Sequence, residues 1–186
     1  MKSTLEGIKI INPRTFQDDR GCFFESYNSQ IKEELGIESD FLQDNHSISH
    51  ENVVRGLHYQ WDKPMGKLVR VVKGSLIDYF LDIREGSPTY GKHDSIFLSE
   101  ENKTMVWIPE GFAHGFESLE KDTVILYKCT SLYNKDGEGA INPLDPDVGI
   151  DWRTPRDKIL MSERDANSQS LKSYLEDPKF RFAKKE

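Results

Sequence analysis

Cysteine is scarce in this chain, with two residues in 186, Cys22 and Cys129, far apart and in neither a Cys-x-x-Cys nor a knuckle spacing. That scarcity argues against a disulfide-stapled scaffold or a cysteine-held zinc module, and both thiols are read as reduced. Long apolar runs are missing as well. Hydrophobic stretches are short and interrupted by charge, and Met1 leads into Lys2, Ser3, Thr4 and Leu5 without the apolar segment of a secretion signal. The expectation is a soluble cytoplasmic protein with no membrane partner. Positive charge is in deficit, with a formal net charge of −7. A phosphodiester backbone would meet repulsion unless a local basic surface overcame it, so nucleic acid is not an expected partner. A diphosphate needs only a few placed cations, which leaves a small nucleotide ligand open. No Gly/Ser linker, low-complexity tract or internal repeat divides the chain. Its length suits one domain spanning 1–186, with about 180–186 read as a flexible tail.

What the chain does contain is a succession of short β-forming runs punctuated by turn residues. Val69 and Val71, then Leu76, Tyr79, Leu81 and Ile83, predict two strands joined by a tight turn at Lys73-Gly74-Ser75. Phe97, Met105, Trp107 and Ile108 continue the pattern, as does the β-rich stretch 123–130, with Pro88-Thr89-Tyr90-Gly91 and Pro109-Glu110-Gly111 as breaks. Many short strands imply an all-β sandwich or barrel. Two short helices are expected at its periphery: residues 30–35, ended by Gly36, and residues 168–175, with Leu171, Tyr174 and Leu175 at helical spacing.

Chemistry concentrates in Arg55-Gly56-Leu57-His58-Tyr59-Gln60 and in Pro109-Glu110-Gly111-Phe112-Ala113-His114-Gly115-Phe116. A single histidine in a β protein is more often structural than catalytic, but two such segments point to a common site. The Pro-x-Gly-x-x-His pattern resembles the second motif of cupin barrels, whose histidine commonly binds metal. Metal-binding cupins pair it with His-x-His and a later Glu. Here the first position reads His58-Tyr59-Gln60, and Lys67 stands seven residues before Gly74 where the Glu is expected. An ammonium repels a divalent ion and Gln is a poor substitute for imidazole, so no metal is expected. A base, a fixed cation and a second imidazole suit proton abstraction beside a carbonyl. His58 would remove the proton and Lys67 would stabilise the enolate oxygen. Returning a proton to the opposite face needs an acid that is neutral near pH 7, for which Tyr127 and Tyr133 are candidates.

An ordered set of segments then resembles the dTDP-4-dehydrorhamnose 3,5-epimerase family along nearly the whole chain. They are Phe16-Gln17-Asp18-Asp19-Arg20-Gly21-Cys22-Phe23-Phe24-Glu25, Gln43-Asp44-Asn45-His46-Ser47, the His58 and His114 segments, Gly66-Lys67-Leu68-Val69, Asp82-Ile83-Arg84 and Leu160-Met161-Ser162-Glu163-Arg164-Asp165. The resemblance implies a cupin-type jelly roll with short peripheral helices, usually a homodimer. It also implies a dTDP-linked 4-keto-6-deoxy sugar as substrate and no cofactor. By the same correspondence His58 is the general base and Asp165 its acidic partner. Lys67 and His114 lie near the sugar C4 oxygen, Tyr127 is the opposing acid, and Tyr133 contacts substrate. Arg20, Glu25, Gln43, Asp44, Asn45, Arg55 and Glu138 would line the nucleotide or diphosphate site, and Gln60 and Arg164 join the substrate-binding set.

The implied reaction converts dTDP-4-keto-6-deoxy-D-glucose to dTDP-4-keto-L-rhamnose, inverting C3 and C5. Relatives that invert only C3 or only C5 share the same His, Lys and Tyr, so that outcome stays open. Departures from the family pattern lie near the expected sugar site: no Trp precedes Asp145-Pro146, Leu132 precedes Tyr133 where a second Tyr is frequent, and Arg164 replaces a more usual Lys. A non-catalytic sugar-nucleotide binding module and a metal-dependent cupin oxygenase are the readings from other classes. A binder would need no matched base and acid, which disfavours the first.

Overall fold

A computed structural model describes residues 3–183. Its strands are numbered in chain order. One five-stranded sheet runs β1 (Lys9–Ile11), β10 (Met105–Ile108), β6 (Lys67–Lys73), β12 (Thr123–Cys129) and β4 (Gln43–Ser49). The second runs β13 (Glu138–Ala140), β5 (Val54–Gln60), β11 (Phe112–Ser118), β7 (Ser75–Asp82) and β9 (His93–Ser99). The pairs within both sheets are antiparallel. The sheets pack face to face as an all-β, cupin-type jelly roll.

The period-two alternation of β-strands sorts each strand's side chains to two faces. Val69, Val71, Val106, Ile108 and Ile125 of the first sheet meet Leu76, Phe80, Leu98, Phe112 and Phe116 of the second, forming the inner core. Both outer faces are covered as well. On the first sheet, Leu68, Met105 and Trp107 pack beneath Leu35, Ile37 and Phe41. On the second, Leu57, Tyr59, Tyr79 and Leu81 pack beneath Ile141, Leu171, Tyr174 and Phe180. With both faces covered, every residue of β7 is buried, which is why its sequence reads as a nearly continuous apolar run.

The two expected strands and the tight turn between them are present, and the turn is a change of layer rather than a hairpin. The turn at Gly74 exists, but its two strands belong to opposite sheets, β6 pairing with β10 and β12 and β7 with β11 and β9. Gly74 adopts φ +75°, and a Cβ there would lie 2.8 Å from Thr123 Oγ1. Glycine thus permits the abrupt passage from one layer to the other.

Both expected helices are present. The first, α1 (Ser29–Glu34), is capped by Asn28 through the Ile31 amide, and Gly36 follows it at φ +60°. The third, α3 (Leu171–Glu176), is capped by Ser170. Between them lies α2 (Glu163–Ala166), a single turn too short for sequence periodicity to reveal. Outside the main sheets, β2 (Thr15–Asp18) and β3 (Gly21–Phe24) form a hairpin that among the described residues pairs only with itself. The expected tail also needs correcting. β14 (Phe180–Arg181) pairs in parallel with β8 (Arg84–Glu85), and the Phe182 amide bonds Glu85 O. Residues 180–182 are therefore held by backbone bonds, while Lys184-Lys185-Glu186 falls outside the described residues. No helix among the described residues is long and apolar enough to cross a membrane.

Candidate active site

Strand alternation points His58 of β5 and His114 of β11 to the inner face, and the two stand opposite each other in register. Around them the strands pass unusually close. A Cβ on Gly56 would fall 2.6 Å from Gly115 Cα and 2.8 Å from His114 O, and one on Gly115 would fall 2.5 Å from Arg55 O. The register shifts between His114 and Phe116 at this crossing. Such an irregularity re-aims side chains at the edge of a site.

Lys67 starts β6 and lies across the ladder from Cys129, while Tyr127 of β12 lies across from Val69. These residues face the histidines from the opposite sheet. His58, His114, Lys67, Tyr127 and Arg55 line one cleft of about 470 Å³, with Ile125 and Phe116 supplying apolar wall. A second cleft of about 500 Å³ shares Arg55 and His58 and adds Arg164 and Asp165.

His58 Nε2 lies 2.8 Å from Asp165 Oδ1. Asp165 is buried, its Oδ2 accepts the Gly56 amide at 3.2 Å, and its own amide donates to Ser162 Oγ at 3.1 Å. Burial alone would raise the Asp165 carboxyl, but the bond and charge of His58, the Gly56 amide and Ser162 together hold it below the usual range. An ionised Asp165 accepts the Nε2 proton and leaves Nδ1 as the basic nitrogen.

His114 Nε2 lies 2.7 Å from Asp78 Oδ1, and both side chains are buried. Desolvation pulls the imidazole below its ordinary value against the opposing pull of Asp78, with Lys67 and His58 adding to the lowering. Lys67 is half-buried and, among the described residues, has no carboxylate within 4 Å. Burial lowers its pKa, partly offset by Cys129, Asp78 and Glu138. Burial likewise raises the Tyr127 phenol, helped by Cys129 and Glu138 and opposed by Arg55. The phenol therefore stays protonated at neutral pH.

The remaining expected residues divide into groups. Glu138 Oε2 accepts from Tyr133 OH at 2.8 Å and from Arg164 at 2.6 Å, joining all three. Arg55 donates to Ser49 Oγ at 3.1 Å while lining both clefts. Asp44 and Asn45 line a further cavity of about 260 Å³ with Tyr27 and Arg70, which meets the main cleft at His46 and Tyr127. Asp44 is ion-paired with Lys128 at 3.0 Å. The structure does not bring Arg20 or Glu25 to these clefts: Arg20 sits at the tip of the β2–β3 hairpin, paired at 2.6 Å with Asp18, and Glu25 accepts from Asn28. Gln43 and Gln60 spend their amides inside the protein. Two residues of the site were not anticipated, Asp78 and Ser162. An aspartate inside a fully buried strand was the available signal for Asp78. Among the described residues no three His, Cys, Asp or Glu side chains gather as a metal-ligand set.

A jelly roll that sets a carboxylate-backed imidazole and a buried ammonium around one cleft, with a protonated phenol across it, is equipped for proton transfer at carbon next to a carbonyl. The sequence profile of dTDP-4-dehydrorhamnose 3,5-epimerase matches residues 2–173, and the chain belongs to that family of isomerases. The enzyme of that name from Methanothermobacter thermautotrophicus is 45% identical over 173 residues, covering 92% of this chain and 94% of its own. Among solved structures, the dTDP-6-deoxy-D-glucose-3,5-epimerase of Legionella pneumophila in complex with dTDP-4-keto-L-rhamnose superimposes with a TM-score of 0.93 at 41% identity, covering 98% of this chain and 97% of that one. A 3′-monoepimerase of Streptomyces bikiniensis in complex with dTDP-quinovose reaches 0.85 at 31% identity, covering 94% and 88%.

Proposed function

We propose that this enzyme converts dTDP-4-keto-6-deoxy-D-glucose to dTDP-4-keto-L-rhamnose by successive proton exchange at C3 and C5. The observation that carries the reading is the His58–Asp165 pair at 2.8 Å, facing Lys67 and Tyr127 across one cleft. The protons on C3 and C5 are acidic because one C4 carbonyl accepts charge in either enolate. His58 takes the proton through its free nitrogen, and Asp165 stabilises the imidazolium that results. The electron pair of the broken C–H bond moves onto the C4 oxygen, where Lys67 supplies positive charge. His114 lies beside it, but its lowered pKa leaves the charge stabilisation mainly to Lys67. With Nε2–H held by Asp78, its other nitrogen donates only in the imidazolium form. Tyr127 returns a proton to the opposite face of the carbon, and solvent restores both groups before the second centre reacts.

Similarity to both double and single epimerases leaves the shared residues silent on the number of centres. The two-centre reading rests on the 3,5-epimerase profile and on the 45% identity over nearly the full chain. Arg55 and the Tyr133–Glu138–Arg164 group would hold the nucleotide and diphosphate. Within this reading the protein is one domain and works as a cytoplasmic homodimer. The β2–β3 hairpin would lie against the free edge of β4 in a second copy, which would bring Arg20 and Glu25 to the partner's nucleotide site.

Proton NMR of dTDP-4-keto-6-deoxy-D-glucose in deuterated water, following H3 and H5 separately, tests the reaction. Loss of both signals is expected, and His58→Ala is expected to abolish it. Loss of one signal alone would convert the assignment to a mono-epimerase, and unchanged exchange with His58→Ala would remove His58 as base.

A further inference from the structure

We propose that Gln60 is a positioning residue whose buried carboxamide holds the Tyr133 ring ready for the nucleotide end of the substrate. Gln60 shares a strand face with His58 but is only 5% exposed and lines none of the clefts at His58. Its Nε2 donates to Lys63 O at 2.6 Å and to Leu132 O at 3.1 Å, and its Oε1 accepts the Asn134 amide at 2.8 Å. A carboxamide has two N–H donors. Both are spent here, so none is left for a ligand.

The residue between Leu132 and Asn134 is Tyr133, and its amide donates to Gln43 Oε1 at 2.9 Å. Gln43 is in turn set by Asn45, to whose Oδ1 its Nε2 donates at 2.9 Å. Two glutamines thus hold the backbone on both sides of Tyr133 and at Tyr133 itself. The same loops are joined again by Ser131 Oγ on Pro64 O at 2.7 Å, Asn134 Nδ2 on Asp62 Oδ2 at 2.6 Å, and the Trp61 amide on Gly137 O at 2.8 Å. Tyr133 itself remains 54% exposed, its hydroxyl fixed on Glu138.

An aromatic ring on an ordinary surface loop samples many orientations and must be ordered when a ligand binds. Here the ring is ordered in advance, its hydroxyl bonded to the Glu138 that also holds Arg164 of the second cleft. If the segment were loosened, apparent affinity would fall in proportion to the fraction still in the competent arrangement. Gln60 bonds neither His58 nor Lys67, so proton abstraction would proceed as before once substrate is bound.

The inference rests on the reading of Tyr133 as a substrate contact, and the experiment separates the two. Steady-state kinetics are measured for the wild type, Gln60→Met, Tyr133→Ala and the double variant. Gln60→Met is expected to raise KM about tenfold with kcat within about twofold, and to add nothing in the Tyr133→Ala background. A fall in kcat at unchanged KM, or a KM effect that adds in full to that of Tyr133→Ala, overturns the proposal. An unchanged KM in Tyr133→Ala overturns the reading of Tyr133 instead. Should Gln60→Met not fold, amide hydrogen exchange of the wild type decides. The Tyr133 and Asn134 amides are expected to be protected, and exchange at free-peptide rates in either would sink the clamp.

Discussion

Lys67 occupies a place where a lysine costs the fold something. The residue is half-buried, its ammonium has no carboxylate within 4 Å among the described residues, and its pKa is lowered first of all by desolvation. A base whose folded pKa lies below its unfolded value of about 10.4 opposes folding at neutral pH, because the native state must bury the charge. Stability then rises as pH climbs from the folded pKa toward the unfolded one, the window in which the unfolded chain still binds the extra proton. Lys67→Met should therefore melt above the wild type at pH 7, with the gap closing as pH approaches about 10. The same substitution should cut kcat/KM by about 10²–10³-fold through loss of enolate stabilisation. Thermal melts across pH beside turnover measurements check both halves, and a variant that is less stable and fully active would overturn the role. Residues of this kind were legible because each sits inside a local motif. Asp165 was not legible on local grounds, since it lies 107 positions from its histidine; only the resemblance to a family connected them.

The elements show where strand-level reading succeeds and where it fails. Alternation and turn residues located the central strands, because pleat periodicity is written into each strand separately. Pairing between strands is not. The close sequence neighbours β6 and β7 read as two strands joined by a tight turn, and the covered outer face of each sheet left no exposed polar side to reveal that a layer change intervenes. The crossing of β5 and β11 was equally silent, though its glycines stood in plain view in both motifs. Gly115→Ala should be among the most destabilising single changes, by about 3 kcal/mol or more, because its Cβ would meet Arg55 O at 2.5 Å, a backbone atom that cannot swing aside. Gly91→Ala serves as the comparison: its φ of +73° is strained for alanine, but nothing lies within 4 Å, and about 1 kcal/mol is expected. Chemical denaturation of the two variants checks the order, and equal losses would show that the close approach matters no more than the backbone angle.

At the scale of the whole molecule, the feature a single chain leaves unexplained is the β2–β3 hairpin. Among the described residues its strands pair only with each other, and Phe16 and Phe23 are 49% and 65% exposed with ring centroids 6.4 Å apart. Two aromatic rings on an unsupported ribbon expose apolar area that water disfavours, and a two-stranded ribbon alone is marginally stable. The free edge of β4 offers unpaired backbone groups beside Asp44 and Asn45, so a hairpin from a second copy would satisfy both surfaces at once. Placing a charge on the ribbon should weaken that contact without touching the barrel core. Phe23→Glu is therefore expected to shift sedimentation from dimer toward monomer, with the two-sheet circular dichroism retained. Because Arg20 and Glu25 would be withdrawn from the partner's site along with the hairpin, KM should rise in the same variant and fall back as protein concentration increases. Wild-type protein that sediments as a monomer at micromolar concentration would refute the homodimer, and an unchanged KM in a monomeric Phe23→Glu would detach Arg20 and Glu25 from the nucleotide site.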